Sequence, residues 1–265
     1  MRRIGNQPQA KWFATWDHEI RTAVDTALTT ITSSGALPVL VAYASPNRDC
    51  GSYAAGGAPS ADEYRRWIRG FAEGIGSRKA VVILEPDALA ETDCLSEAEL
   101  AQRFALLREA ISTLKANPRT FVYLDAGNPL WMEPERIAER MRSAGIASAD
   151  GFALNISNFQ TTADNIAYGS AISELVGKRF VIDTSRNGLG PSVPYEWCNP
   201  PGRGLGDTPT TDVDHPLVDA LLWIKWPGES DGECSGGPAA GAWWPEYALG
   251  LARRAPPQRK SGAAL

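Results

Sequence analysis

Five aspartates follow apolar runs along the chain: Asp49 in Asn47-Arg48-Asp49-Cys50-Gly51, Asp87 in Glu85-Pro86-Asp87, Asp125 in Tyr123-Leu124-Asp125-Ala126-Gly127, Asp183 after residues 180–182, and Asp231 in Gly228-Glu229-Ser230-Asp231-Gly232. An aspartate just past a strand is often only a turn former or a helix N-cap, so no single one carries an argument. As a set they do, if the preceding runs are parallel strands of one barrel, because the carboxyl ends of such strands converge on one face. Carboxylates held close raise one another's proton affinity, which leaves one carboxyl protonated near neutral pH and able to act as a general acid. The rival use of such a cluster is a Mg or Ca site, but no EF-hand spacing is present, and no metal and no cofactor are expected.

Other chemistries lack raw material. The only histidines, His18 and His215, stand far apart in dissimilar surroundings, which excludes His-based zinc sites and Ser-His-Asp triads. The net charge of −5 offers no basic surface for phosphates, so nucleic acid is not an expected partner. No run approaches the roughly 18 to 20 apolar residues of a membrane span, and Met1-Arg2-Arg3 leads into polar sequence instead of an apolar signal core. The four cysteines contain no Cys-x-x-Cys pair; two disulfides in an oxidising compartment fit this better than four buried thiols. Nine tryptophans in an acidic chain suit carbohydrate, since flat aromatic faces stack on the apolar faces of sugars. Trp131, Trp223 and Trp226 lie near the acidic motifs, whereas Trp12, Trp16, Trp243 and Trp244 serve a core equally well and Trp67 reads as structural.

The elements that would position these groups are legible as continuous apolar runs at 38–44, 80–84, 120–124, 151–155, 180–182 and 220–225, the pattern of strands covered on both faces. Helices are predicted between them, over 60–76 and 96–115, each opening on a Ser-x-x-Glu capping box, and over 134–144 and 165–176. Repeated strand-helix units of this kind predict a β/α barrel, and no Gly-x-Gly-x-x-Gly supports a dinucleotide fold. Two long Gly/Pro-rich segments, 187–214 and 227–241, read as functional loops. The chain reads as one catalytic domain over 1–265, with a flexible tail over 253–265.

Six segments together resemble glycoside hydrolase family 6, the inverting cellulases: YASPNRDCG at 43–51, VILEPDAL at 82–89, YLDAGNPLW at 123–131, LNISNF at 154–159, DTSRNG at 183–188 and LWIKWPGESDGEC at 222–234. The resemblance implies an α/β fold, a distorted TIM-like barrel with fewer than eight parallel strands. It implies Asp87 as general acid, Asp49 as the neighbour that raises its pKa, Asp231 as the residue proposed as base and Asp125 as a further acid near the cleaved bond. Tyr43, Trp131, Asn155, Trp223, Lys225 and Glu229 match sugar-binding positions, and the family's disulfides pair Cys50 with Cys94 and Cys198 with Cys234. Two departures are Asn128, where the family often has His, and Trp226, in place of the first proline of Lys-Pro-Pro-Gly. The regions around the cysteines lack the long insertions that build tunnels in exo-acting members. The implied protein is thus a secreted, monomeric endo-β-1,4-glucanase acting on cellulose or soluble β-glucan; an exo-acting cellobiohydrolase and a non-catalytic carbohydrate-binding barrel are the alternatives.

Overall fold

The computed structural model describes residues 2–257. Seven strands, β1 (Lys11–Phe13), β2 (Val39–Ala42), β3 (Ala80–Leu84), β4 (Thr120–Asp125), β5 (Gly151–Leu154), β6 (Arg179–Asp183) and β7 (Val218–Leu222), form one wholly parallel sheet in sequence order. The helices are α1 (Arg2–Gly5), α2 (Ile20–Ser33), α3 (Ala61–Ile75), α4 (Glu97–Lys115), α5 (Pro134–Ser143), α6 (Thr162–Val176) and α7 (Pro245–Arg254). Alternation along each strand divides the core in two. Leu40, Val82, Leu84, Val122, Leu124, Phe152, Phe180 and Ile182 face the helices. Val41, Ile83, Tyr123, Ala153, Val181 and Ala220 face one another in a cluster that contains no helix residue, which is the inside of a curled half-barrel.

The helix starts follow their capping chemistry. Ser60 accepts from Glu63 N ahead of α3, and Ser96 and Glu99 form a reciprocal capping box ahead of α4. Thr161 caps Asp164 N, so α6 opens three residues before the predicted start. The sequence pattern predicts none of α1, α2, α7 and β1. Helix α2 has Glu19 at its N-cap with no side-chain cap bond, and strand β1 is three residues long.

Two boundaries are corrected. The last strand was predicted over 220–225; it ends at Leu222, because the amides of Ile224 and Lys225 turn to the Asp183 carboxylate. The predicted tail begins too early: Arg253 and Arg254 close the last turn of α7, and Arg254 Nε donates to Arg203 O at 2.8 Å. Residues 258–265 lie outside the described residues.

Strands β1 and β7 do not form a ladder with each other in this order. Ala10 N donates to Trp223 O at 2.9 Å, Trp12 Nε1 donates to Ile224 O at 2.8 Å, and Trp226 Nε1 donates to Ala10 O. Two indoles and one amide thus stitch the seam. No helix among the described residues is long and apolar enough to cross a membrane.

Candidate active site

The loops after β2 and β3 are built as one unit. Arg48, nearly fully buried, donates to the carbonyls of Tyr43, Ala54 and Ala55 and lies 4.5 Å from the Tyr43 ring centroid. Asp49 Oδ2 accepts from Ala54 N at 2.6 Å inside the same loop. From β3, the buried carboxylate of Glu85 accepts the amides of Ala44 and Ser45, joining the two strand ends. Asn47, Asp49, Cys50, Glu85 and Asp87 all have positive φ, a backbone that non-glycine residues hold only where surrounding contacts over-determine it.

Within this frame Tyr43 Oη donates to Asp87 Oδ2 at 3.3 Å, while Asp87 N donates to Asp125 Oδ2 at 2.8 Å. Burial, and then the charges of Asp125, Glu91 and Asp49, hold the Asp87 carboxyl well above the usual carboxylate range; the Tyr43 bond pulls the other way. Asp125 is pushed up to about 7 by burial, against backbone N–H bonds that favour its charge, and its Oδ1 has no hydrogen-bond partner among the described residues. Asp49 is also raised, chiefly by burial. A protonated carboxyl that keeps partial exposure, backed by further acids, can deliver a proton at neutral pH.

Asp231 belongs to a second station. Its carboxylate receives Arg186 Nη1 at 2.8 Å and Asn199 N at 3.0 Å, with Lys225 Nζ 3.6 Å away. Although burial alone would raise it, Arg186 and Lys225 hold it below the usual range, so Asp231 is ionised. Glu229 keeps partial exposure nearby, its carboxyl raised by burial and drawn back by Lys225. Asp183, the remaining strand-end acid, is structural: it accepts from the amides of Ser157, Ser185, Ile224 and Lys225 and so ties the ends of β5, β6 and β7 together.

Two matched sugar-binding positions are buried in this structure. Asn155 is fully buried, donating to Asp183 O and accepting from Gln160 N, so it shapes the loop after β5. Trp223 is 2% exposed, packs with Leu205, Tyr247, Ala248 and Leu251 beneath α7, and spends its Nε1 on Asp207 O. Neither has a free face. Trp131 does keep partial exposure; its ring lies against Gly127, held by an Asn128 turn whose Oδ1 accepts from Leu130 N and whose carbonyl accepts from Trp131 N.

Disulfides join Cys50 to Cys94 and Cys198 to Cys234, each beside an acidic station. The loops they hold meet through aromatic rings: Tyr53 lies 6.0 Å from Trp197, and the Tyr53 ring covers Gly232, where a Cβ would come within 2.4 Å of it. Tyr53 and Trp197 are both exposed, and Tyr195 Oη donates to Asn158 Oδ1 beside them.

The model of glycosyl hydrolases family 6 matches residues 1–255. The chain belongs to glycosyl hydrolase family 6. Among its relatives, Endoglucanase A of Cellulomonas fimi is 47% identical over 96% of this chain, and Endoglucanase 1 of Streptomyces halstedii is 46% identical over 92% of it. The family 6 chain spans 56% of the length of the first and 78% of the second. The solved structure of the endoglucanase Cel6 from Mycobacterium tuberculosis, in complex with methyl-cellobiosyl-4-deoxy-4-thio-β-D-cellobioside, superposes with a TM-score of 0.91 at 46% identity, covering 95% of this chain and 88% of that one.

Four participants in this family 6 site were not singled out from sequence: Glu91, Arg186, Tyr53 and Trp197. Trp197 had a signal, since it adjoins a cysteine, and Glu91 lies one helical turn beyond Asp87. Arg186 sits inside a matched motif, but its partner Asp231 is 45 residues away and only the fold joins them.

Proposed function

We propose that this chain is an endo-β-1,4-glucanase that hydrolyses internal glucosidic bonds of cellulose or soluble β-glucan with inversion. Asp87 gives its proton to the glycosidic oxygen as the C1–O bond breaks. Water attacks C1 from the opposite face and loses its proton to a site carboxylate, leaving a new reducing end of inverted configuration. The observation that carries this reading is the environment of Asp87: a carboxyl kept protonated by burial and neighbouring acids, yet partly exposed at the strand ends. Asp49 and Asp125 supply that environment, while ionised Asp231 stabilises positive charge developing at C1. Tyr43, Trp131, Lys225, Glu229 and the exposed Trp197 are assigned to sugar contact. The relatives named endoglucanase support internal cleavage, and the disulfides support a secreted protein; one catalytic domain acting as a monomer completes the proposal.

The test is hydrolysis of a cello-oligosaccharide by wild type and Asp87→Asn, followed by NMR of the first products. Loss of turnover in the variant and α-configured new ends from the wild type are expected. An unchanged rate in the variant, or β-configured products, refutes the assignment. On carboxymethyl cellulose, viscosity is expected to fall faster than reducing ends appear; cellobiose release with viscosity preserved refutes endo cleavage.

A further inference from the structure

Beyond Asp87 the backbone closes one turn, with Glu91 N donating to Asp87 O at 2.8 Å. The turn brings the Glu91 carboxyl back to hydrogen-bond the carboxyl of Asp49, from the neighbouring strand end. Two carboxylates in that contact repel, so the bond exists only with a proton between them. Both partners are held from behind. Asp49 Oδ2 takes Ala54 N, the Cys50–Cys94 disulfide spans the two loops, and Cys50 Sγ lies 3.7 Å from Glu91 O. The groups facing Glu91 are Asp49, Asp87, Asp93, Asp125 and Tyr43, with Arg103 from α4 as the facing cation and Arg48 beside Asp49. Arg103 donates to the carbonyls of Pro46, Asn47 and Ala88 and so braces the loops that carry the pair. An ordinary turn carboxylate would be exposed or matched to a cation; Glu91 is partly buried against another acid.

We infer that Glu91 is a positioning residue that shares a proton with Asp49 across the Cys50–Cys94 clamp, fixing Asp49 beside Asp87 and extending hydrolysis to higher pH. The inference rests on Asp87 as the general acid. While the proton is shared, the pair carries one negative charge. Burial and the Asp49 charge push Glu91 up to about 7, and when its proton leaves, a second charge appears near Asp87. That charge opposes ionisation of Asp87 in the range where the acid would otherwise be lost.

Glu91→Gln keeps the size and can still donate to Asp49, but it cannot ionise. In kcat/KM against pH on a soluble cello-oligosaccharide, the upper limb of Glu91→Gln is expected to move to lower pH by about 0.5 to 1 unit, and that of Glu91→Asp by less. A limb that stays within about 0.2 unit, or a drop of the same factor at every pH, overturns the inference. Carboxyl 13C NMR of the wild type provides a measurement independent of any variant: each protonation step of the pair is expected to move the Asp49 and Glu91 resonances together, and resonances that titrate independently of each other overturn the sharing. Asp87→Asn in the same assay separates the two levels: if it turns over like the wild type, the acid assignment itself fails. If it is inactive while the Glu91→Gln limb does not move, only the role of Glu91 fails.

Discussion

Arg186→Met removes the cation from a buried pair. Arg186 is 0% exposed, donates to Asp231 and to Ser157 O, and lies 4.4 Å from the Phe159 ring centroid. Breaking a buried ion pair by removing one partner costs about 3 to 5 kcal/mol, because the other charge is left without compensation. Lys225 at 3.6 Å from Asp231 recovers part of this, which places the expectation near the lower figure. At about 2 to 4 °C per kcal/mol for a domain of this size, the melting temperature should fall by roughly 6 to 12 °C at pH 7. The pH dependence has a definite sign. Asp231 is depressed in the folded wild type, so its contribution is present above the ordinary carboxylate pKa and is lost as pH falls through the lower folded value. In the variant burial dominates and the carboxyl takes up a proton more readily, so the gap between the two proteins should narrow in acid. Calorimetry at pH 7 and pH 4, each at low and high salt, is the assay. A deficit below about 2 °C at pH 7, or one equal at both pH values, refutes the account; strong salt sensitivity would place the pair at the surface, where ions screen it.

Three further outcomes follow from other parts of the molecule. Trp223→Ala should cost about 3 to 5 kcal/mol as a core truncation, whereas Trp197→Ala should raise KM with melting nearly unchanged; the reverse pattern in melting scans and kinetics would restore Trp223 as a sugar contact. Opening either disulfide, across 44 or 36 residues, should remove about 4 kcal/mol by the chain-entropy argument, read as a lower melting temperature in reductant. Gly57→Ala places a Cβ 1.9 Å from Ser45 O at a φ of +97°, so it should destabilise by about 2 kcal/mol or more and depress kcat by displacing the Asp49 loop, measurable by melting and turnover on one preparation.

The interior strands were legible because each is a continuous apolar run buried on both faces, and the helices with Ser-x-x-Glu starts were legible because that signal is local. Strand β1 was not, since three residues give no periodicity and its pairing with Leu40, Val41 and Ala42 is tertiary. The site divides along the same line. Asp49, Asp87 and Asp125 sit directly at strand ends, so knowing the strands places them together. Trp223 follows a strand and flanks a motif lysine, but α7, which begins 22 residues later, covers its face. Asp183 and Asp231 share the same strand-end setting in sequence, yet one is consumed by four amides and the other by an arginine, a distinction that exists only after folding.

The stitched seam between β1 and β7 bears on how these molecules meet one another. A sheet that stops short of closure ordinarily leaves two edges whose free amides and carbonyls can recruit a strand from a neighbouring copy. Here the carbonyls of Ala10, Trp223 and Ile224 are already occupied, two of them by indole N–H groups. Side chains do at this boundary part of what a further strand would do in a closed barrel, and Thr210 pairs with Leu221 on β7, so the half-barrel keeps its opening while offering fewer free edge groups to a neighbouring copy.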